Sequence, residues 1–295
     1  MKQAVIDIGT NSTRLCLAEV TADKSLANIT KFLTTTRLGE GSADGFLQPT
    51  PMERTANAVV SYHRQAEQCG AEKIYVYATA AVREAQNKHD FAQLLQNNGI
   101  KLDILSGEQE AEIAYLGAVQ GPDSAVIDIG GGSTEVMLKQ NGKVCALSQR
   151  LGAVRLFERF DGRNGISTSL LSEVRNYISP TVEQYSAIHP ESAKSLVGVS
   201  GTATTLAAMF LRLDKYSGQK VQNTRLTIDN VRALMTDLFL PIDKRLLIPG
   251  VPENRGDIIP FGCIILEAIM TRYGFDSLRV SDTDSLEGYL MLKNT

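Results

Sequence analysis

The sequence contains no tryptophan and is poor in aromatic residues, histidine and cysteine. Aromatic side chains make up 6% of the 295 residues, and there are three histidines and four cysteines. Cys16, Cys69, Cys145 and Cys263 lie far apart without a C-x-x-C pair, so the spacing indicates neither a zinc site nor a disulfide framework. We expect all four to be buried thiols that pack as small hydrophobic side chains.

The chain also lacks an excess of charge of one sign and a long hydrophobic run. Thirty Lys and Arg stand against 33 Asp and Glu, a net charge of -3, which argues against binding to nucleic acid or anionic lipid through an overall basic field. No stretch approaches the roughly 18 to 20 apolar residues of a membrane span, and no signal-peptide pattern opens the chain. The sequence therefore predicts a cytoplasmic protein with a small partner.

Two catalytic motifs are missing as well. There is no G-x-S-x-G sequence, and no motif places His63, His89 or His189, which argues against a Ser-His-Asp hydrolase. There is no G-x-x-x-x-G-K-(S/T) sequence either, which excludes a P-loop nucleotide-binding site.

An internal repeat organises the chain. Residues 4–17, AVIDIGTNSTRLCL, match residues 125–138, AVIDIGGGSTEVML, at nine of fourteen positions with a constant offset of 121. An Arg-Leu-Gly tripeptide follows each copy, at 37–39 and at 150–152. The repeat predicts two related domains, residues 1–121 and 122–295. Whether the last helix, 284–295, packs back on the first domain is left open.

Each copy of the repeat has the pattern of two strands joined by a tight turn, which predicts a β-hairpin. The periodicity of the first half predicts strands at 3–8, 13–20, 26–37, 74–78 and 100–105, and helices that start at 50 and span 89–98 and 107–119. In the second half it predicts strands at 124–129, 133–139, 142–150, 196–199 and 277–281, and helices at 168–186, 202–212, 227–239 and 257–273. Two α/β domains of matching order should face each other across a cleft, where ligands bind.

The turns of the two hairpins are candidate phosphate sites, because glycines that reach positive φ, together with hydroxyl and backbone N–H donors, can cradle phosphate. Their donors and glycines are Gly9, Thr10, Ser12, Gly130, Gly131, Gly132, Ser133 and Thr134. Asp7 and Asp128 each end a strand beside such a turn, and Glu135 stands close by. Carboxylates gathered at a phosphate favour a divalent cation. We therefore expect Asp7, Asp128 and Glu135 to hold Mg²⁺ or Mn²⁺.

A third glycine turn contains Gly201 and Thr202 and leads from a strand into a helix, where backbone N–H groups can meet an anion. A purely structural role is an equal alternative. Arg14 follows the first turn and Arg83 follows the strand at 74–78, so both could neutralise phosphate oxygens. Solvation at the surface is the alternative for each arginine.

These motifs together resemble the exopolyphosphatase and guanosine pentaphosphate phosphatase family, the Ppx/GppA group of the actin, hexokinase and Hsp70 (ribonuclease H-like) fold. The resemblance runs from residue 4 to about residue 290 and rests on AVIDIGTNSTRL, ATAAVREAQN, ILSGEQEAEIAYLGA, VIDIGGGSTEV, LGAVRLFE, GVSGTATTLA, PGVPENRGDIIPFGCIIL and VSDTDSLEGYL, in that order. It implies an α/β fold of two duplicated actin-like domains around a central cleft, Mg²⁺-assisted release of terminal phosphate from polyphosphate or guanosine pentaphosphate, and a homodimer.

The resemblance also implies roles for single residues. The glutamate that activates water in the family matches Glu110, in the first turn of a helix that Ser106 and Gln109 can cap. Its metal and phosphate contacts match Asp7, Asn11, Ser12, Arg14, Arg83, Asp128, Glu135, Arg255 and residues 130–134. Longer relatives carry a C-terminal helical region that this chain lacks, so the resemblance implies a preference for shorter polyphosphate chains.

Two other functions stay open. One is a kinase or ATPase of the same fold that transfers the γ-phosphate of ATP to an acceptor. The other is a catalytically weak sensor that binds guanosine tetraphosphate or polyphosphate and signals through a partner. Glu110 together with Arg83 favours the hydrolase, and the sequence does not choose between polyphosphate and guanosine pentaphosphate as its substrate.

Overall fold

The computed structural model describes residues 1–10, 12–42, 45–119 and 123–294 of the chain. The chain forms two compact units, one of Met1–Gly117 with the segment that starts at Ser285, and one of Ala118–Asp284. Each unit contains one mixed β-sheet with helices packed against it. The predicted α/β class of two duplicated domains is confirmed.

The elements alternate along the chain in the predicted manner. The strands are β1 (Lys2–Ile8), β2 (Ser12–Val20), β3 (Leu26–Thr35), β4 (Lys73–Ala78), β5 (Asp103–Ile104), β6 (Ser124–Ile129), β7 (Thr134–Gln140), β8 (Lys143–Gln149), β9 (Ser195–Val199), β10 (Arg225–Thr227) and β11 (Ser277–Val280). The helices are α1 (Pro49–Gln68), α2 (Ala80–Arg83), α3 (Lys88–Gln96), α4 (Gly107–Ala118), α5 (Ala153–Phe160), α6 (Thr168–Glu183), α7 (Ser200–Phe210), α8 (Gly218–Val221), α9 (Ile228–Leu238), α10 (Ile242–Arg245), α11 (Ile259–Tyr273) and α12 (Ser285–Asn294). Short 3-10 helices lie at Gly162–Asn164, Gln184–Ile188, Pro190–Ser192 and Glu253–Arg255.

The sheet of the first unit has the order β3-β2-β1-β4-β5, with β1, β2 and β3 antiparallel and β4 and β5 parallel to β1. Strand β1 is apolar on both faces because both are covered. Ala4, Ile6 and Ile8 face the core under α1 and α3. Val5 faces the opposite core, to which α12 contributes Leu290.

Helix α12 packs on the sheet of the first unit through aromatic stacking and a polar contact. The Tyr289 ring stacks on Tyr77 with centroids 4.7 Å apart, and the Tyr289 hydroxyl donates to Asp103 Oδ2 at 2.8 Å. The Lys31 ammonium lies 2.7 Å from the Glu287 carboxylate, which is fully buried. The C-terminal segment of the chain thereby fixes the side chain of Ser285, which enters the site described below.

The sheet of the second unit has the order β10-β11-β9-β6-β7-β8. Strands β6, β7 and β8 form an antiparallel meander, and β9 is parallel to β6 as β4 is to β1. Helix α11 fills the core of this unit and is buried along almost its whole length. In both units the repeated hairpin therefore lies in the middle of a sheet, and its turn lies where the two central strands end.

Three expectations from the sequence were wrong in detail. Helix α5 was missed, although its apolar residues recur with helical spacing, because it is only 8 residues long. The strand expected at 100–105 is limited to Asp103–Ile104. Among the cysteines, Cys16 and Cys263 are buried but Cys69 is exposed, and burial raises the pKa of the Cys263 thiol.

In the described part of the chain, every helix is too short or too polar to cross a bilayer.

Candidate functional site

The first glycine turn joins β1 to β2. The Gly9 N–H donates to the Ser12 carbonyl at 3.0 Å, and the Thr10 carbonyl accepts from the Gly39 N–H at 2.9 Å. The Arg-Leu-Gly tripeptide thus closes over the turn, with Gly39 in direct contact. Asn11, predicted to contact phosphate, lies outside the described residues.

The carboxylate beside this turn is neutralised by an arginine. Asp7 and Arg14 are partners in the β1–β2 register, and Arg14 Nε and Nη2 lie 2.9 and 2.5 Å from Asp7 Oδ2. Arg14 Nη2 also donates to Ser285 Oγ at 3.0 Å, and the Tyr77 hydroxyl lies 3.3 Å from the same oxygen. The structure therefore holds Arg14 in one orientation, half exposed at the edge of the sheet.

The second glycine turn, between β6 and β7, has the same closing hydrogen bond as the first. The Gly130 N–H donates to the Ser133 carbonyl at 2.9 Å, and the Gly131 carbonyl accepts from the Val154 N–H at 3.0 Å. Thr134 Oγ1 donates to the Leu151 carbonyl at 2.6 Å, so its hydroxyl serves the fold. The predicted donors of this turn are brought together, apart from the hydroxyl of Thr134.

The sequence analysis predicted that the turn glycines adopt positive φ, and this prediction is wrong. Gly9 and residues 130–132 do not adopt positive φ. Space is the constraint instead, since a Cβ on Gly131 would lie 2.9 Å from Val154 Cγ2. Small size lets the following segment pack against the turn while the N–H groups stay near the surface.

Two carboxylates lie side by side next to the second turn. Asp128 and Glu135 are directly opposite in the β6–β7 register, so their side chains share one face of the sheet. Ser200 Oγ donates to Asp128 Oδ2 at 2.7 Å, and Ser148 Oγ donates to Glu135 Oε1 at 2.5 Å. Both carboxylates are half-buried and oriented by hydroxyl groups.

This pair fits the donor set of a magnesium ion. Mg²⁺ usually binds one or two carboxylates and completes its shell with water and substrate phosphate. Within the described ranges, no three His, Cys, Asp or Glu side chains gather into a metal-binding group, so a cage made of protein ligands alone is not formed there. Asp7 fits less well than Asp128 and Glu135, because Arg14 already occupies its Oδ2 atom.

The third turn joins β9 to α7. Ser200 has a φ of 60° at this junction, which turns its hydroxyl towards Asp128. The Arg255 guanidinium lies against the backbone of Gly201, where a Cβ would approach Nη1 to 1.7 Å, so any larger residue at position 201 would displace the guanidinium. Thr202 is buried and its Oγ1 donates to the Ile129 carbonyl at 3.0 Å, a structural contact.

A cavity of about 520 Å³ opens beside this turn within the second unit. It is lined by Ser200, Gly201, Arg255, Thr204, Tyr216 and Asp282, among others. The Tyr216 hydroxyl is hydrogen-bonded to the Asp282 carboxylate, and burial together with this carboxylate raises the pKa of Tyr216. Among the residues that line this cavity, Arg255 is the one with a positively charged side chain.

Glu110 and Arg83 form an ion pair in the first unit. Arg83, the last residue of α2, places Nη1 2.7 Å from Glu110 Oε2 and 3.1 Å from the Leu105 carbonyl. The predicted capping box is present, since the Gln109 N–H lies 3.2 Å from Ser106 Oγ and the Ser106 N–H lies 3.0 Å from Gln109 Oε1. The Glu110 side chain remains 37% exposed, while Arg83 Nη1 holds its Oε2 atom.

The sequence did not indicate three serines that orient these groups. Ser200 holds Asp128, Ser148 holds Glu135 and Ser285 holds Arg14. Ser200 and Ser285 lie in motifs that point to other residues, GVSGTATTLA and VSDTDSLEGYL, whereas Ser148 lies outside the motifs. Ser148 pairs with Glu135 in the β7–β8 register. A correct alignment of strands β7 and β8 would therefore have placed Ser148 beside Glu135.

Similarity to known proteins extends over the whole chain. Exopolyphosphatase 2 of Mycobacterium tuberculosis is 30% identical over 306 residues, which cover 97% of this chain and 96% of that protein. A bifunctional 3-dehydroquinate synthase/phosphatase of Fusobacterium nucleatum is 31% identical, with 98% of this chain but 46% of that protein covered. A guanosine-5'-triphosphate,3'-diphosphate pyrophosphatase of Photobacterium profundum is 27% identical, with 97% and 58% covered. The chain thus spans about half of the length of the last two.

A solved structure agrees with these sequence relationships. The Aquifex aeolicus Ppx/GppA phosphatase, in its type II variant, superposes with a TM-score of 0.89 at 28% identity and covers 99% of both chains. The sequence model described as the Ppx/GppA phosphatase family matches residues 16–294. This chain belongs to the Ppx/GppA phosphatase family.

Proposed function

We propose that this protein releases terminal orthophosphate from inorganic polyphosphate, and also from guanosine pentaphosphate, with Mg²⁺ and a water molecule activated by Glu110. Membership of the family, with relatives named exopolyphosphatase and guanosine pentaphosphate pyrophosphatase, makes it a phosphoanhydride hydrolase. The observation that carries the choice of Glu110 is its ion pair with Arg83, which orients a carboxylate that remains open to solvent.

Glu110 has the features of a general base for hydrolysis. A carboxylate can accept the proton of an attacking water if it is held within hydrogen-bond reach of that water. Arg83 Nη1 donates to Glu110 Oε2 at 2.7 Å, and the Ser106–Gln109 capping box stabilises the first turn of the helix that carries Glu110. Arg83 also brings positive charge next to the reacting group, where phosphoryl transfer concentrates negative charge.

The glycine turns and arginines are proposed to bind the phosphates. Backbone N–H groups and hydroxyls of the turns donate to phosphate oxygens, and guanidinium groups match them with paired donors. The proposed contacts are Asp7, Gly9, Thr10, Asn11, Ser12, Arg14, Arg83, Gly130, Gly131, Gly132, Ser133, Thr134, Gly201, Thr202 and Arg255. Of these, Thr134 and Thr202 contribute through the backbone, because their hydroxyls are bonded within the fold.

Asp128 and Glu135 would hold the Mg²⁺, with Asp7 as the weaker third candidate. The ion supplies charge neutralisation on the phosphate oxygens that carry the developing charge. Ser200 and Ser148 hydrogen-bond to the two carboxylates, which lie opposite each other on one face of the sheet. As the family resemblance implies, we further propose a cytoplasmic homodimer.

The test is phosphate release by the wild type and by Glu110→Gln. Long polyphosphate, tripolyphosphate, guanosine pentaphosphate and ATP are compared with Mg²⁺ present. We expect Glu110→Gln to lower kcat by roughly 10²- to 10⁴-fold, because a neutral amide cannot accept the proton of the attacking water. Because the amide has the same shape as the carboxylate, the dissociation constant for polyphosphate should stay within about twofold of the wild-type value.

The matched control is Glu108→Gln, an exposed carboxylate in the first turn of the same helix. It should keep wild-type turnover. Near-normal phosphate release by Glu110→Gln would exclude Glu110 as the base. Transfer of phosphate from ATP to an acceptor would instead identify a kinase, and tight binding of guanosine tetraphosphate or polyphosphate without release would identify a sensor.

A further inference from the structure

Three arginines line a concavity beside the second glycine turn, and none of them belongs to the site described above. Arg150, Arg155 and Arg159, together with Tyr177, border a cavity of about 440 Å³. We call these four residues the arginine pocket. Arg155 and Arg159 lie in α5, which follows β8 in the chain and contacts the turn through the Val154 N–H, which donates to the Gly131 carbonyl at 3.0 Å.

Two of the guanidinium groups are held in place by neutral contacts. Arg155 Nε donates to the Gly132 carbonyl at 2.6 Å, which ties this side chain to the turn and leaves both Nη groups to donate elsewhere. The guanidinium carbon of Arg159 lies 4.4 Å from the ring centroid of Tyr177, a cation–π contact. The fold thus orients positive groups here without neutralising them.

The charge in the pocket is left uncompensated. All three arginines are exposed, and in the described ranges none lies within 4.0 Å of a carboxylate oxygen. Arg155 and Arg159 are four residues apart and therefore lie on one face of α5, where like charges destabilise a helix. Glu158 also borders the cavity and is the one acidic residue among its lining residues.

A second arginine cluster in the same unit shows that the chain can neutralise such groups. Arg175 and Arg232 lie 2.9 and 3.1 Å from the buried carboxylate of Glu267. Arg272 forms a two-pronged pair with Glu183. These arginines line a cavity too, but each of them is paired with a carboxylate. The arginine pocket differs because, in the described ranges, its three arginines form no ion pair with a carboxylate, which leaves their charge available to a bound anion.

We propose that the arginine pocket binds inner phosphates of a polyphosphate chain whose terminal phosphates lie at the second glycine turn. This role presupposes the hydrolase function proposed above and adds a chain-length subsite to it. The contact between Arg155 and Gly132 joins the pocket to the turn, so a chain bound at one can continue into the other.

Phosphate chemistry fits the pocket better than a nucleoside does. Guanidinium groups donate to phosphate oxygens in pairs and remain charged at every working pH. Arg155 and Arg159 are separated by about 6 Å along the helix axis, so they offer successive contacts to an extended chain. A nucleoside pentaphosphate places a base and a sugar where further phosphates of a long chain would lie, and the positive pocket gives these groups no charge to pair with.

The experiment compares the double variant Arg155→Gln/Arg159→Gln with the wild type on two substrates. For long polyphosphate we expect KM to rise about tenfold, which corresponds to the loss of about one charge-assisted hydrogen bond. We expect kcat to stay within about twofold of the wild-type value. For tripolyphosphate, which has only two phosphates beyond the terminal one to offer the pocket, we expect the rise in KM to be smaller, less than about twofold. Arg155→Lys/Arg159→Lys keeps the charge without the fork and should recover part of the affinity for the long chain.

Arg272→Gln is the control, because it removes an arginine of the same unit that Glu183 already neutralises. It should leave KM for both substrates unchanged. Equal KM values for the wild type and the Gln double variant on long polyphosphate would exclude the subsite. A KM increase of the same size on tripolyphosphate would exclude it as well, since the arginines would then act on the terminal phosphates.

Binding of fluorescently labelled long polyphosphate, measured by anisotropy, separates this subsite from the hydrolase function. If the wild type binds the chain and the double variant binds it about tenfold more weakly, the subsite stands even where no phosphate is released, and only the hydrolase proposal fails. If the double variant binds as tightly as the wild type, or the wild type does not bind, the subsite is excluded.

Discussion

The two glycine turns are closed by the same backbone hydrogen bond but carry different pairs of charges. The Gly9 and Ser12 pair is closed by a 3.0 Å hydrogen bond and the Gly130 and Ser133 pair by one of 2.9 Å. Asp7 and Asp128 occupy matching positions, 121 residues apart. The residue opposite Asp7 is Arg14, whereas the residue opposite Asp128 is Glu135.

This single difference gives the two turns different chemistry. An arginine opposite an aspartate completes an ion pair, as Arg14 does with Asp7 in the first turn. Two acids opposite each other on paired strands repel, and a divalent cation between them removes that repulsion. We therefore propose that the first turn binds phosphate alone and that the second binds phosphate together with Mg²⁺.

The strongest test of the comparison is Asp128→Asn. We expect phosphate release to fall about 10²- to 10³-fold and the Mg²⁺ concentration for half-maximal rate to rise, because the amide is a poor ligand where the carboxylate was proposed to hold the ion. A titration of the rate with Mg²⁺ measures both effects.

Asp7→Asn is the paired variant in the first turn. It removes the partner of Arg14 and should lower the melting temperature without moving the Mg²⁺ midpoint. If it shifts that midpoint as far as Asp128→Asn does, then both turns bind the ion and the contrast between them is wrong.

Glu135→Arg gives the second turn the charge pattern of the first. The new guanidinium lies opposite Asp128 and can pair with it, so we expect the protein to remain folded while activity loses its response to Mg²⁺ and falls by about 10²-fold. Glu135→Gln, which removes the acid without adding a cation, should have the smaller effect. A variant with arginine that still responds to Mg²⁺ as the wild type does would show that Glu135 is not a ligand.

The elements that sequence could predict are those set by local pattern. The hairpins follow from alternating apolar runs, and the capping box at Ser106 and Gln109 follows from a three-residue spacing. The assignment of Glu110 came from family resemblance, and its partner Arg83 lies 27 residues away. The contact of Ser200 with Asp128 spans 72 residues. No periodicity fixes such contacts, because they depend on how strands order themselves within a sheet.

The glycines of the two Arg-Leu-Gly tripeptides allow the last and smallest test, on stability. A Cβ on Gly152 would lie 2.2 Å from the Gly131 carbonyl oxygen, whereas a Cβ on Gly39 would meet Thr10 Cγ2 at 2.5 Å. We expect Gly152→Ala to lower the free energy of unfolding by about 1 to 3 kcal/mol, the usual range for overpacking, and Gly39→Ala to lower it less. Urea denaturation followed by circular dichroism measures both.

The two clashes differ in what can relieve them. Thr10→Ser removes the methyl group that Gly39→Ala would meet, so the double variant should recover most of the stability that Gly39→Ala loses. No change of side chain moves the carbonyl that opposes residue 152, because this oxygen belongs to the turn and Gly131 also accepts the Val154 N–H. If Thr10→Ser fails to rescue Gly39→Ala, the first turn is held as rigidly as the second, and backbone contact rather than side-chain packing closes both.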